Sequence, residues 1–152
     1  MTINASVTGL QVRIRASITY PTGFTVSQFA DDADPFDLPS VAIADAAMGP
    51  NGDMIGWAKA TPKDATLNVM PGSVDDINLN IIFQANDPSN GLAVANDVIT
   101  ATAIYPSGEV VIATGGRMIS GPPGLSGSSA GRLKTPAYAF KFQRVTRLPV
   151  IA

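Results

Sequence analysis

Residues 10–19 read Leu10-Gln11-Val12-Arg13-Ile14-Arg15-Ala16-Ser17-Ile18-Thr19. Apolar and polar side chains alternate with a period of two over the whole stretch. That is the signature of a strand with one face on a core and the other on water or a partner. On the second face Arg13 and Arg15 sit side by side. The strand runs into Tyr20-Pro21-Thr22-Gly23, in which Pro presets φ for a turn and Gly accepts φ > 0. The sequence therefore predicts a hairpin there, and the same chemistry recurs at Gly49-Pro50-Asn51-Gly52 and Tyr105-Pro106-Ser107-Gly108. Three such turns among β-rich runs predict an antiparallel, mainly β protein.

Working outward, the turns assign partners. Residues 41–48 are expected to pair with 53–60, which carry Trp57, and 99–105 with 109–114. A short strand is predicted at 66–70. A late one is predicted over 137–147, where Tyr138, Phe140 and Phe142 alternate with Ala139 and Lys141. One segment reads as a helix, about 73–85. Ser73 stands as N-cap with Asp75 and Asp76 in the first turn, and Val74, Ile77, Ile81 and Ile82 follow at helical spacing. Ile77, Leu79, Ile81 and Phe83 also alternate as in a strand, but a strand has no use for the cap. Residues 29–39 and 120–136 read as long irregular loops, the second rich in Gly and Pro. Residues 16–26 and 101–111 share the pattern Ala-x-x-x-Tyr-Pro-[Thr/Ser]-Gly-x-x-Val, read either as a duplicated hairpin or as convergent turn chemistry.

Composition narrows the function. The chain has 152 residues, 45% hydrophobic and 14% charged, with 14 Gly and 12 Pro. One β-sandwich or barrel-like domain over 1–152, rich in turns, is expected. The absence of Cys excludes disulfides, thiolate nucleophiles and cysteine-ligated metals. The absence of His removes the commonest general base and metal ligand. No apolar run approaches the ~20 residues of a membrane helix. The first ten residues do not read as a secretory signal, so the mature chain is expected to start near Met1.

The charges are segregated along the chain. All 12 acids lie between Asp31 and Glu109, where Lys59 and Lys63 are the only bases. The remaining bases, Arg13, Arg15, Arg117, Arg132, Lys134, Lys141, Arg144 and Arg147, flank that block. Either the fold mixes these charges on one surface, or basic and acidic edges of neighbouring copies meet and fix their register.

Motifs that carry chemistry fall away under inspection. Gly127-Ser128-Ser129-Ala130-Gly131 matches the G-x-S-x-G string but lies in a loop of a chain without His. Asp31, Asp32, Asp34 and Asp37 could offer oxygens to a cation, yet Pro35 and Phe36 break the EF-hand pattern. No Gly spacing suits a nucleotide cofactor. Asn4-Ala5-Ser6 fits a glycosylation sequon without a secretory context. Trp57, Phe83, Tyr138, Phe140 and Phe142 read as core or interface aromatics. No catalytic residue, cofactor or metal is expected.

The order of these pieces resembles the tail-tube proteins of tailed bacteriophages. The resemblance rests on Gly23-Phe24-Thr25-Val26, Phe29-Ala30-Asp31-Asp32-Ala33-Asp34 and the Gly-Pro-Asn-Gly hairpin. It continues through the strand at 65–70 and its capped helix, and through Asp97-Val98-Ile99-Thr100. Tyr105-Pro106-Ser107-Gly108, Gly121-Pro122-Pro123-Gly124 and Arg132-Leu133-Lys134-Thr135 complete it. It covers about 16–146; the first strand, 8–19, within an N-terminal arm and strand over 1–19, is least matched. It implies a β-sandwich or barrel-like fold with one flanking helix and hexameric rings that stack into a tube. The tube is a conduit for DNA in the virion, and the subunit is made in the host cytoplasm. The implied partners are further copies, then tail sheath, baseplate and tape-measure proteins. Alternatives are a terminator or baseplate adaptor ring of the same fold, or a monomeric immunoglobulin-like binding module. On the first reading, Arg13, Arg15, Arg132 and Lys134 are expected to face Asp31, Asp32, Asp34 and Asp37 of an adjacent subunit.

Overall fold

The computed structural model describes residues 5–91 and 93–149. Residues 1–4, with the outer end of the expected arm and Asn4 of the sequon, lie outside them.

The alternation at 10–19 is realised as β1 (Gln11–Ala16), in which Val12, Ile14 and Ala16 are fully buried and Gln11, Arg13 and Arg15 exposed. The elements that follow are β2 (Tyr20–Val26), β3 (Phe36–Asp37), β4 (Ala44–Met48), β5 (Met54–Ala58) and β6 (Lys63–Asn68). Then come α1 (Val74–Ala85), β7 (Ile99–Ile104), β8 (Val110–Ser120), β9 (Ala137–Phe142) and β10 (Arg144–Leu148). Every pairing is antiparallel, and the chain is mainly β as expected.

The strand order is β2-β1-β7-β8-β9-β6-β3, with β10 also on β8; β4 and β5 form a separate pair. β8 joins two ladders. Its first half lies between β7 and β10, and its second half runs along β9. β9 and β10 keep one register against β8, from Lys141↔Arg117 to Arg144↔Thr114. The late strand expected at 137–147 is therefore two strands interrupted at Gln143, whose N–H donates to the Gly115 carbonyl at 3.3 Å. The interruption needs glycine. Gly115 has φ +65°, and a Cβ on Gly116 would lie 2.3 Å from Phe142 Cδ1. Inner side chains of both ladders, with Leu79 and Ile82 of α1, form one buried cluster.

The first turn differs from expectation. The chain reverses at 17–19, and Tyr20-Pro21-Thr22-Gly23 lies inside β2. The register slips there from Ala16↔Tyr20 to Ile14↔Phe24, so three residues of β2 bulge opposite Arg15. Buried Asp97 explains the choice. Its carboxylate accepts from the Ile18 and Thr19 N–H groups at 2.8 and 2.9 Å and from the Thr19 hydroxyl, closing the earlier turn. Ile18, expected inside, is 62% exposed. Residues 20–23 and 105–108 thus take different structures, so the shared sequence pattern does not form two equivalent hairpins. The turns at 49–52 and 105–108 form as expected, with Gly52 and Gly108 at positive φ.

The helix begins at its predicted cap, since Ser73 Oγ accepts from the Asp76 N–H. Of the predicted apolar face only Ile82 is buried. Val74, Ile77 and Ile81 are exposed, while Asp75, Asp76 and Leu79 join Ile82 inside. The two acids are fixed inward by donors from the segment after β2, the turn before the helix and β9. Asp75 accepts from the Ser27 and Gln28 N–H groups, and Asp76 from the Gly72 N–H and the Tyr138 hydroxyl. The predicted strand at 66–70 is β6, displaced toward the N-terminus. The 120–136 segment is not structureless: Gly127 bridges Leu133, and the Lys134 N–H donates to the Ser126 carbonyl at 2.7 Å.

Candidate assembly interface

Residues 44–58 are apolar on both pleats. β4 reads Ala-Asp-Ala-Ala-Met and β5 Met-Ile-Gly-Trp-Ala, and every residue of both strands is exposed. Paired residues share a face. One face carries Ala44↔Ala58, Ala46↔Gly56 and Met48↔Met54; the other carries Asp45↔Trp57 and Ala47↔Ile55. Large apolar groups are thus left in water: Ile43 is 71% exposed, Met54 69% and Trp57 48%. Contiguous apolar surface of this kind marks an interaction site. Among the described residues β4 and β5 pair only with each other, so each also has an open edge.

Further unsatisfied edges lie on the main body. Among the described residues, β2 pairs only with β1 and β10 only with β8. A second apolar surface flanks α1. Ile77, Ile81, Leu125 and Pro122 line a groove of about 370 Å³. Its far wall, the 121–125 loop, is held by Asn80, whose side-chain amide donates to the Pro122 carbonyl at 3.0 Å.

The structure brings some of the expected contact residues together within one chain. Arg132 Nη2 lies 3.0 Å from Asp31 Oδ1, and the Thr135 hydroxyl donates to Asp32 Oδ1 at 2.5 Å. The hydrogen bond from Arg132, then the Asp31 backbone and the Arg132 charge, hold the Asp31 carboxyl below its ordinary value. Arg13 and Arg15 donate to the Thr22 and Pro21 carbonyls, bracing the β2 bulge. Asp34, Asp37 and Lys134 make no ion pair among the described residues. Of the other flanking bases, Arg147 meets Glu109, and Lys141 lies 3.5 Å from Asp64. Charge segregated in sequence is therefore partly mixed in space. Among the described residues no three acidic side chains converge as a metal site would need. Ser129 of the G-x-S-x-G string lies in an exposed turn.

Sequence reasoning placed the 49–52 hairpin but not its isolation. The available signal was the lack of alternation: a strand apolar on both pleats needs cover on both.

Solved structures share this arrangement of strands and helix. A chain of the anti-feeding prophage baseplate is 8% identical, with TM-score 0.57 and 97% of each chain covered. A chain from the sheath/tube terminator of an extracellular contractile injection system, in its extended state, is 12% identical with TM-score 0.57. There 98% of this chain and 99% of that one are covered. A chain of the anti-feeding prophage tube-terminating cap is 10% identical, with TM-score 0.50 and 99% and 95% covered. The fold expected from the resemblance is thus borne out. No curated protein sequence matches the chain. The profile of one family, described as tail fiber protein gp32, matches residues 3–146, almost the whole chain. The chain therefore belongs to the tail fiber protein gp32 family.

Proposed function

We propose that this protein is a structural subunit of a bacteriophage tail that assembles with copies of itself into a ring, and that the rings stack as the tail tube. The carrying observation is the β4–β5 hairpin, exposed at every position and apolar on both pleats. Fully burying a large apolar side chain is worth about 1.5–3 kcal/mol. Scaled by their exposure, Ile43, Met48, Met54, Ile55 and Trp57 offer roughly 5–9 kcal/mol per copy if covered. That is comparable with the about 4–15 kcal/mol lost on association. One contact is marginal, so a closed ring in which every copy both gives and receives is favoured over a loose dimer.

In this reading the tube is a conduit for DNA, and a chain with net charge −2 does not hold phosphates on its wall. Arg13, Arg15 and Lys134 retain donors for acids of a neighbour such as Asp34 and Asp37. Sheath, baseplate and tape-measure proteins are the further partners, the location is the virion, and no catalysis is involved. A second reading, a terminator or adaptor ring, is favoured by the similar chains, which come from a baseplate, a sheath/tube terminator and a tube-terminating cap. Negative-stain electron microscopy with sedimentation of the purified protein tests both. Stacked tubes support the first, single rings the second. A monomer at every concentration refutes both and leaves the immunoglobulin-like binding module.

A further inference from the structure

A second groove, of about 450 Å³, lies beside the second half of β8 and is lined by Lys63, Arg117, Ile119, Lys141, Phe142 and Gln143. We propose that this groove receives the acidic, apolar face of the β4–β5 hairpin of a second copy of the chain. The proposal rests on the self-assembly reading and names the surface that the hairpin meets.

Two independent properties match. The first is charge. Arg117 and Lys141 stand opposite each other across β8 and β9. Lys141 is shared with Asp64 at 3.5 Å, while Arg117 reaches only the neutral Asn96 side chain at 3.4 Å and Lys63 has no ion pair among the described residues. The groove thus presents two uncompensated cations. The hairpin face that holds Trp57 and Ile55 carries Asp45, and Asp53 immediately precedes β5. Neither acid forms an ion pair among the described residues. The second property is apolarity. Ile119, 54% exposed, and exposed Pro62 line the groove, a fit for Trp57 and Ile55.

Nucleic acid fits less well. Asp64 pairs with Lys141 among the cations, and a phosphate backbone has no use for the exposed Ile119 and Pro62. Because hairpin and groove are different patches, the contact is heterologous, as a ring or a helical stack requires.

The test reverses charge on each side. One variant carries Lys63→Glu and Arg117→Glu, so its groove and hairpin are both acidic. The other carries Asp45→Lys and Asp53→Lys, so both are basic. Each alone should need about tenfold or more higher concentration to assemble than the unchanged protein. Mixed in equal amounts they should co-assemble, each groove taking the other's hairpin. Melting curves check folding. If half-buried Lys63 does not tolerate Glu, the exposed Arg117→Glu change is used alone in the same scheme. Unimpaired assembly of either variant alone overturns the groove assignment while the self-assembly reading stands. So does a mixture that stays monomeric although both variants melt normally. Duplex DNA held by the unchanged protein and lost on Arg117→Glu, with assembly unaffected, overturns it in favour of phosphate. An unchanged protein that never assembles overturns the self-assembly reading itself.

Discussion

Replacing Trp57 by Ala separates assembly from folding. Trp57 sits on β5, opposite Asp45, on a hairpin whose strands contribute nothing to the buried cluster. It is 48% exposed, so about half of its surface remains for a partner to cover. At the upper end of the side-chain scale, covering that half is worth roughly 1.5 kcal/mol. Losing it raises the concentration at which the protein assembles by about tenfold per contact. The folded chain should barely notice, since surface changes of this kind stay within about 0.5 kcal/mol. Sedimentation across a concentration series reads the first quantity and thermal unfolding the second. Trp57 is also the only Trp in the chain, so its emission should move to the blue as the unchanged protein assembles. If Trp57→Ala lowers the melting temperature and leaves the assembly midpoint where it was, the hairpin serves the fold. The reasoning from exposure is then refuted.

Gly116→Ala should lower stability by about 1–3 kcal/mol, because the added methyl meets the Phe142 ring at 2.3 Å and the Ile99 carbonyl at 3.0 Å; denaturant unfolding reads this. Burial pushes the Asp97 carboxyl up, but bonds from Thr19, Asn86 and the Ile18 N–H outweigh it and hold the group below its ordinary value. A lowered folded pKa contributes stability above the unfolded value of about 3.9 that is lost as pH falls through the folded one. Asp97→Asn should therefore cost about 1–3 kcal/mol at neutral pH and flatten the loss of melting temperature below about pH 4. Tyr138→Phe removes the 2.7 Å bond to the buried Asp76 carboxylate and should cost about 1–3 kcal/mol in denaturant unfolding.

Much of the fold was legible because local chemistry and packing agree. At 10–16 the alternation coincides with the burial of Val12, Ile14 and Ala16. At Ser73 the cap has no alternative use. The turns at 49–52 and 105–108 stand between strands that pair directly across them. Legibility failed where a distant side chain decided the outcome. The turn at 17–19 wins over Tyr20-Pro21-Thr22-Gly23 because Asp97, far along the chain, supplies a carboxylate for its N–H groups. Asp75 and Asp76 read as first-turn acids at a helix start, yet backbone donors of Ser27, Gln28 and Gly72 draw them inside. That rotation turns Val74, Ile77 and Ile81 to the surface. For the candidate interface, charge segregation pointed to association in general. It did not reveal that Asp31 and Arg132 meet within one chain, since contacts between segments so far apart follow from topology and not from local pattern.

The surplus of exposed apolar surface is concentrated where the chain spends no core residues. The main cluster is already closed by β1, β2, β6, β7, β8, β9 and α1 without the hairpin. A hairpin of two strands is marginal alone in water, and charged or bulged edges are the usual protection for one left open. Here β4 and β5 contain Asp45 as their only charge. Keeping such an element in water has no structural return for the isolated chain, whereas a neighbour that covers it gains both apolar area and backbone partners. The groove over β8, β9 and the start of β6 is the counterpart, since Arg117 and Lys63 stand there without an acidic partner among the described residues. On the proposed reading, an apolar, acidic strand pair without a place on its own body and a basic groove with an exposed apolar wall complement each other. One molecule carries both, so on that reading the contact repeats from copy to copy, as in a ring or a helical stack.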